Sequence, residues 1–260
     1  LRASLHAGKV IMDIYDCKID IEFKEDNSPV TEADRRANDI INSYLTTTSI
    51  PIISEENEQI DYSARKSWEK FWMVDPLDGT KEFLKKNGEF TVNIALIIGG
   101  IPKIGVIYIP ETKTIYYSNT DEKKAYKAKL NSHKFELDKL KELSKELQPK
   151  HHISSDIKIV SSRSYMNEDT LKFAESLKKE GKNVEILSKG SSLKFCLIAE
   201  GSADIYPRFA PTMEWDTAAG HAICNAVGIR VISKKSKKPL IYNKENLQND
   251  YFIAYTASSY

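Results

Sequence analysis

The sequence predicts a mixed α and β fold in two parts, an α+β half followed by an α/β half. Three observations carry that expectation. From Phe90 to Tyr117 three β-rich segments follow one another across short turns, which suggests an antiparallel sheet. From Ile157 onward strand-like and helix-like segments alternate, as helices packed on a sheet require. Between them Lys123 to His152 is rich in Lys and Glu and marks a boundary. The expected domains are therefore residues 1–135, carrying most of the acidic ligands, and 155–260, with 136–154 connecting them. A chain of 260 residues is long enough for that division.

Taken in order, "SLHAGKVIMDIYD" places Leu5, Val10, Ile11 and Ile14 at helical spacing. Pro29 forces an extended lead into the next segment, and Thr31 is placed to cap a helix. Ala37, Ile40, Ile41, Tyr44 and Leu45 then form its apolar face at i, i+3, i+4, i+7 and i+8. "IPIISEEN" and "FWMVDPLDGT" are short apolar runs that each end in acids. The most apolar stretch, Thr91 to Pro110, is broken by Asn93, Gly99, Gly100, Pro102 and Lys103. It reads as two strands joined at a turn, since a membrane span needs about 20 uninterrupted apolar residues. Leu137, Leu140, Leu143 and Leu147 mark a short amphipathic helix. After the boundary, "IKIVSSRS", "VEILSKG" and "ADIYPRF" read as strands, and "NEDTLKFAESLKKEG", "SSLKFCLIAEGS" and "WDTAAGHAICNAVG" as helices.

Lys+Arg 38 against Asp+Glu 37 leaves no basic excess, which argues against a general nucleic-acid binder. A phosphate-bearing small molecule stays open, because a site needs only a few local cations. Cys17, Cys196 and Cys224 are scattered, which disfavours a disulfide framework or a Cys-type zinc site and fits a reducing cytosol. The expected location is the cytoplasm. The chain opens at Leu1 with no signal-peptide pattern; what precedes Leu1, and any peripheral association with an inner membrane, are not readable from it.

Four separated segments present acids where an apolar run ends or a helix begins: Asp34, Glu55-Glu56, Asp75 with Asp78, and Asp216. Singly, each has an ordinary reading as a cap or turn residue. Together they imply a cation, because buried carboxylates crowded side by side repel one another unless something neutralises them. Oxygen ligands without His or Cys suit Mg²⁺, which also shares substrate phosphate oxygens. Gly79 and Thr80 add a flexible backbone and a hydroxyl, and a helix starting there would cradle phosphate.

"VDPLDGT" also invites a covalent reading, in which Asp75 attacks phosphorus as in the Asp-x-Asp-Gly-Thr phosphatases. That superfamily keeps one residue between its aspartates and usually a later Gly-Asp pair. Here two residues intervene, and no Gly is followed by Asp. The spacing instead favours Asp75 and Asp78 binding adjacent metals in a tight turn, with the Leu77 carbonyl between them.

"NSPVTEAD", "ISEEN", "DPLDGTKEFLKKNGEFTVNIALI" and "EWDTAAGHAI" resemble the magnesium-dependent, lithium-sensitive phosphatase family that includes inositol monophosphatase. The third of these and "GSSLKFCLIAEGSADIYPRFAPTMEWDTAAGHA" are similar to its bacterial CysQ branch, the 3′(2′),5′-bisphosphate nucleotidases. The resemblance runs from about Ala7 to Tyr255 and thins between Lys123 and His152. It implies a two-domain α/β/α/β/α layered sandwich. It implies two or three Mg²⁺ held by Glu55, Asp75, the Leu77 carbonyl, Asp78 and Asp216. Asp34 with Thr80 would orient and deprotonate a metal-activated water, and Gly79 with Thr80 would grip the phosphate. Ser164, Tyr165, Ser191, Lys194 and Arg208 would meet the second phosphate and the nucleoside. Ala218, Ala219 and Gly220 would leave room for substrate close to the backbone of the helix that Asp216 opens.

"SRSY" departs from the branch's usual Ser-Arg-Ser-His, so Tyr165 can stack on adenine but offers no imidazole. His221 has no second His at ligand spacing and reads as structural. The implied substrate is 3′-phosphoadenosine 5′-phosphate, a by-product of sulfate activation, hydrolysed to AMP and phosphate. An inositol monophosphatase is the nearest alternative, although "KEFLKKNGEF" replaces the Thr-Asn-Phe usual there. A non-catalytic Mg²⁺ and phosphate-binding module is the alternative of a different class, in which Asp34 and Thr80 would have no purpose. Whether the chain is a monomer or a homodimer stays open.

Overall fold

The computed structural model describes residues 1–17, 21–23, 29–119, 121–134, 136–149, 155–163 and 166–256. The elements run α1 (Arg2–Tyr15), β1 (Ile21–Phe23), β2 (Pro29–Thr31), α2 (Glu32–Leu45), β3 (Ile52–Ser54), α3 (Tyr62–Arg65), β4 (Lys70–Asp78), α4 (Thr80–Leu84), β5 (Thr91–Ile98), β6 (Ile101–Ile109), β7 (Thr114–Asn119) and β8 (Lys124–Lys129). They continue with α5 (Leu137–Leu143), β9 (Lys145–Glu146), β10 (Asp156–Ser162), α6 (Glu168–Lys179), β11 (Asn183–Lys189), α7 (Leu193–Ala199), β12 (Ile205–Arg208), α8 (Glu214–Ala226), β13 (Arg230–Ser233) and β14 (Phe252–Tyr255). Strands β3 to β9 form a seven-stranded sheet in chain order, and a five-stranded sheet has the order β11-β10-β12-β14-β13. The short β1-β2 pair stands apart.

Alternation along the strands builds the layers. In β5 and β6, Val92, Ile94, Val106 and Tyr108 face α1 and α2, while Ala95, Ile97, Ile107 and Ile109 face α7 and α8. In the smaller sheet Val160, Tyr206, Phe252 and Ala254 turn toward α7 and α8, and Ile159, Ile205 and Ile253 turn toward α6. A strand shows opposite faces at successive residues, so each sheet is buried on both sides. The result is an α/β/α/β/α sandwich with α7 and α8 as its middle layer. Its largest apolar core joins Phe71, Met73 and Ile97 of one sheet to Phe195, Trp215 and Phe252.

The larger sheet is antiparallel as expected except at its edge, where β3 runs parallel to β4. It is also wider than the sequence suggested, because β8 and β9 extend it through the Lys/Glu-rich stretch. The predicted helix there ends at Leu143, so Leu147 lies beyond it. Tyr44, placed on the apolar face of α2, is instead exposed, while Ala37, Ile41 and Leu45 are buried. Among the described residues no helix is long and apolar enough to cross a membrane.

The expectation that small residues leave room for substrate fails. Ala218, Ala219 and Gly220 are buried in the middle layer, and none lines the cavity beside the acidic residues. A Cβ on Gly220 would lie 2.3 Å from the Phe195 ring, and one on Gly105 of β6 would lie 2.3 Å from the Ala219 carbonyl. The small residues make room for α7 and β6 against α8, not for substrate.

Candidate active site

Strand ends and helix starts deliver the acids to one place. The parallel register of β3 and β4 pairs Ser54 with Val74, so the next residues, Glu55 and Asp75, arrive side by side. The Glu55 N–H donates to the Val74 carbonyl at 3.1 Å and fixes the turn. Along β4 the pairing with β5 then slips: Asp75 opposes Asn93 and Asp78 opposes Thr91. Three steps on one strand against two on the other make a bulge, a device that re-aims side chains and accommodates Pro76. The Leu77 N–H donates to Asp75 Oδ1 at 3.1 Å inside this bulge. The two residues between the aspartates are thus what bends the strand.

Asp34 and Asp216 arrive by a different route, each as the third residue of a helix. Asp34 Oδ2 accepts from the Thr31 N–H at 2.8 Å and the Thr31 hydroxyl at 2.6 Å, completing the cap predicted for α2. Asp216 Oδ2 accepts from the Met213 N–H at 2.8 Å at the start of α8. In both cases an anion sits in the first turn, where the helix dipole favours it.

Carboxylate oxygens of Glu55, Asp75 and Asp216 all lie within 4.8 Å of one another. Burial pushes Asp75 well above the ordinary carboxylate range, and repulsion from Glu55, Asp78 and Asp216 pushes it further. Asp216 is raised by burial and then by Asp78 and Glu55. These groups share the site comfortably only when a cation offsets them. The donor set is hard oxygen throughout, so a divalent cation such as Mg²⁺ fits the residues present. Asp78 stands beside the cluster, with Oδ2 accepting from the hydroxyls of Ser191 at 2.8 Å and Ser192 at 2.7 Å.

A cavity of about 200 Å³ opens next to the acids. Glu55, Asp78, Gly79, Thr80, Ser191 and Asp216 are on its wall, with Lys194 and Arg208 on the side of the smaller sheet. Asp34, Asp75 and Leu77 lie behind that wall. Thr80 bridges the two levels, its hydroxyl 3.2 Å from Asp34 Oδ1 and 3.4 Å from the Leu77 carbonyl. Burial raises Asp34 above its ordinary range, against the pull of its Thr31 hydrogen bonds. Lys194 is buried, donates to the Ser191 and Lys189 carbonyls, and lies over the Tyr206 ring. Burial and then the neighbouring Arg208 pull its ammonium down to about 8. Arg208 donates to the Pro211 carbonyl at 3.0 Å.

Ser164 and Tyr165 lie outside the described residues. His221 is buried, hydrogen-bonded through Nδ1 to the Tyr242 hydroxyl at 2.9 Å, and pulled down to about 3 by burial. Asn93 and Tyr206 join the site without a sequence signal for that role, Asn93 entering the pattern only as a break in an apolar run. Ser192 joins it too, and the doubled serine in "GSSLK" was its available signal. Asn93 donates to the Ser192 hydroxyl at 2.6 Å from 99 residues away, a pairing with no local pattern.

Similarity to known proteins covers the same ground. The chain is 41% identical over 251 residues to the 3′(2′),5′-bisphosphate nucleotidase CysQ of Salmonella typhimurium, spanning 95% of this chain and 94% of that protein. It is 46% identical over 234 residues to CysQ of Buchnera aphidicola, spanning 86% and 79%. The crystal structure of CysQ from Bacteroides thetaiotaomicron superposes with a TM-score of 0.86 at 46% identity, covering 98% of this chain and 94% of that one. An inositol monophosphatase of Thermotoga maritima shares the fold at 20% identity and a TM-score of 0.72, covering 98% and 90%. Residues 1–254 match the inositol monophosphatase family as a whole, so with this fold and this acidic site the chain belongs to the inositol monophosphatase family.

Proposed function

We propose that the protein is a Mg²⁺-dependent 3′(2′),5′-bisphosphate nucleotidase that hydrolyses 3′-phosphoadenosine 5′-phosphate to AMP and phosphate, with water as the attacking group. The observation that carries hydrolysis is Thr80, whose hydroxyl stands on the cavity wall and reaches the buried Asp34 behind it. The substrate follows from the likeness to CysQ nucleotidases, which spans nearly the whole chain.

Glu55, Asp75, Asp78, Asp216 and the Leu77 carbonyl are the proposed ligands of two or three Mg²⁺. Bound there, Mg²⁺ supplies Lewis-acid charge that acidifies water and offsets the charge of the transferring phosphoryl group. The protein's own part is proton handling and placement. Asp34 Oδ2 is taken by Thr31, so Oδ1 is the oxygen that faces Thr80. The Thr80 hydroxyl therefore donates to Asp34, and its lone pairs accept from the attacking water. As the water oxygen bonds to phosphorus and the bond to the ribose 3′-oxygen breaks, the water proton passes through Thr80 to Asp34, and the leaving 3′-oxygen takes a proton from solvent water to become the 3′-hydroxyl of AMP. Gly79 and Thr80 begin α4 on the wall, where backbone amides suit phosphate oxygens.

Lys194 and Arg208 would hold the second phosphate. Two of the three Lys194 N–H groups are on backbone carbonyls, which leaves one for an anion. Ser191 shares the cavity, but its hydroxyl already meets Asp78 and Thr91, so its part here is to orient Asp78. Ser164 and Tyr165 complete the nucleoside contacts in this proposal.

The test is phosphate release from 3′-phosphoadenosine 5′-phosphate and from inositol 1-phosphate, with Mg²⁺, with and without Li⁺. Turnover of the nucleotide that requires Mg²⁺ and is inhibited by Li⁺ is expected. Faster turnover of the inositol ester would replace the nucleotidase by an inositol phosphatase, and no turnover of either would favour a binding module.

A further inference from the structure

We propose that Glu89 is a positioning residue, which clasps the smaller sheet to the larger one and through the Gly190–Ser192 loop sets the orientation of Asp78. The inference rests on reading Asp78 as part of the cation site.

Glu89 lies between α4 and β5, on the side of the larger sheet. Its carboxylate accepts from Arg163 Nε at 3.0 Å and Nη2 at 2.9 Å, a bidentate pair, from Lys189 Nζ at 3.2 Å, and from the Gly190 N–H at 2.8 Å. Arg163 follows β10, Lys189 ends β11 and Gly190 follows it, so all four donors come from the ends of adjacent strands of the smaller sheet. The Glu89 side chain is only 12% exposed, unlike an ordinary surface ion pair. Bidentate, charge-assisted geometry of this kind fixes direction as well as distance.

The loop that Glu89 grips has little freedom. A Cβ on Gly190 would lie 2.7 Å from Glu82 Cγ and 2.9 Å from the Glu89 carbonyl oxygen. Ser191 holds a left-handed backbone at φ +52°, which a non-glycine residue keeps only where its surroundings impose it. Lys194 fastens the Lys189 and Ser191 carbonyls from the inner side. At the end of this loop Ser191 and Ser192 donate to Asp78 Oδ2, and Thr91 and Asn93 brace the two hydroxyls. These two hydroxyls, with a longer bond from Asn93 Nδ2 at 3.4 Å to the same oxygen, set the rotation of the group and with it the direction of Oδ1. Gly79 closes the circuit, since a Cβ there would meet the Glu89 carbonyl at 3.0 Å and Ser191 Cβ at 3.2 Å. Glu89 thus touches both the turn that follows Asp78 and the loop that aims it.

The experiment is calorimetric titration of the full chain with Mg²⁺ alone, for wild type, Glu89→Gln, Ser192→Ala and the double variant. Gln keeps the size and the Gly190 contact while removing the charge that Arg163 and Lys189 pair with. Glu89→Gln and Ser192→Ala are each expected to weaken Mg²⁺ binding about tenfold. The double variant should be no weaker than the weaker single, because both changes break one chain of contacts. Arg163→Gln removes the clasp from its exposed end and should reproduce the loss if Glu89→Gln fails to fold. Wild-type affinity in Glu89→Gln or Arg163→Gln, or losses that multiply in the double variant, would overturn the positioning role. Wild type that binds no Mg²⁺, as Asp75→Asn should not, would overturn the cation site beneath it and is told apart on that ground.

Discussion

Thr80 shows how one hydroxyl can be given a direction. Its partner Asp34 has Oδ2 saturated by the Thr31 N–H and hydroxyl, and it is buried enough to favour taking up a proton. The Thr80 proton therefore points at Oδ1, and the acceptor side of the oxygen is presented to the cavity. Removing the hydroxyl should leave the acidic cluster in place while cutting the path of the proton. Thr80→Ala is expected to lower kcat by about 100-fold or more with little change in Mg²⁺ affinity, and Thr80→Ser to recover most of the rate. Steady-state kinetics beside calorimetry checks this. Loss of Mg²⁺ binding in Thr80→Ala would instead make Thr80 part of the ligand set.

Helix α8 carries Asp216 into the site, and its own position depends on two absent side chains. Gly220 lets Phe195 of α7 lie against it, and Gly105 of β6 lets the Ala219 carbonyl approach. Gly105→Ala should force α8 away from the larger sheet, at a cost of roughly 1–3 kcal/mol, as overpacking a filled core does. Thermal melting should show a drop of several degrees, and Mg²⁺ binding should weaken with it because Asp216 rides on the helix. An unchanged melt would mean that the layer has slack. Such contacts also mark the limit of what the sequence reveals. Helices α1 and α2 announce themselves by apolar period, α2 also by its capping Thr31, and the acids of the site by their place at the ends of apolar runs. Strand β8 does not, because the residues that "KAYKAK" buries are only alanines, Ala125 on one face and Ala128 on the other, among three lysines. The alanines and glycine after Asp216 suggested open space, and only the packing shows that α7 and β6 fill it. Glu89, Asn93 and Ser192 act through partners 74 to 114 residues away. Hydrogen bonds across sheets leave no period to read.

Over the whole molecule, the acidic cluster couples folding to both protons and cations. Asp75 and Asp216 have folded values raised above the ordinary 3.8, by burial and then by their acidic neighbours. A group raised in this way contributes stability that is fully present below about 3.8 and is lost as pH rises through the folded value. Without a divalent cation the folded state therefore loses stability as pH climbs from about 4 toward neutrality, because the carboxylates must ionise against one another. With Mg²⁺ present the sign reverses, since binding requires the ionised forms and releases protons. Mass action at 100 times Kd adds about 2.7 kcal/mol, or several degrees in Tm for a chain of this size. Melting curves in EDTA and in saturating Mg²⁺ should accordingly coincide near pH 4 and separate progressively toward pH 8. Asp75→Asn removes one of the raised carboxylates, so its metal-free melt should fall less with pH than the wild type's, and the two curves should stay together at every pH. Curves in wild type that keep a constant separation across this range would show that Mg²⁺ stabilises the fold somewhere other than among Glu55, Asp75 and Asp216.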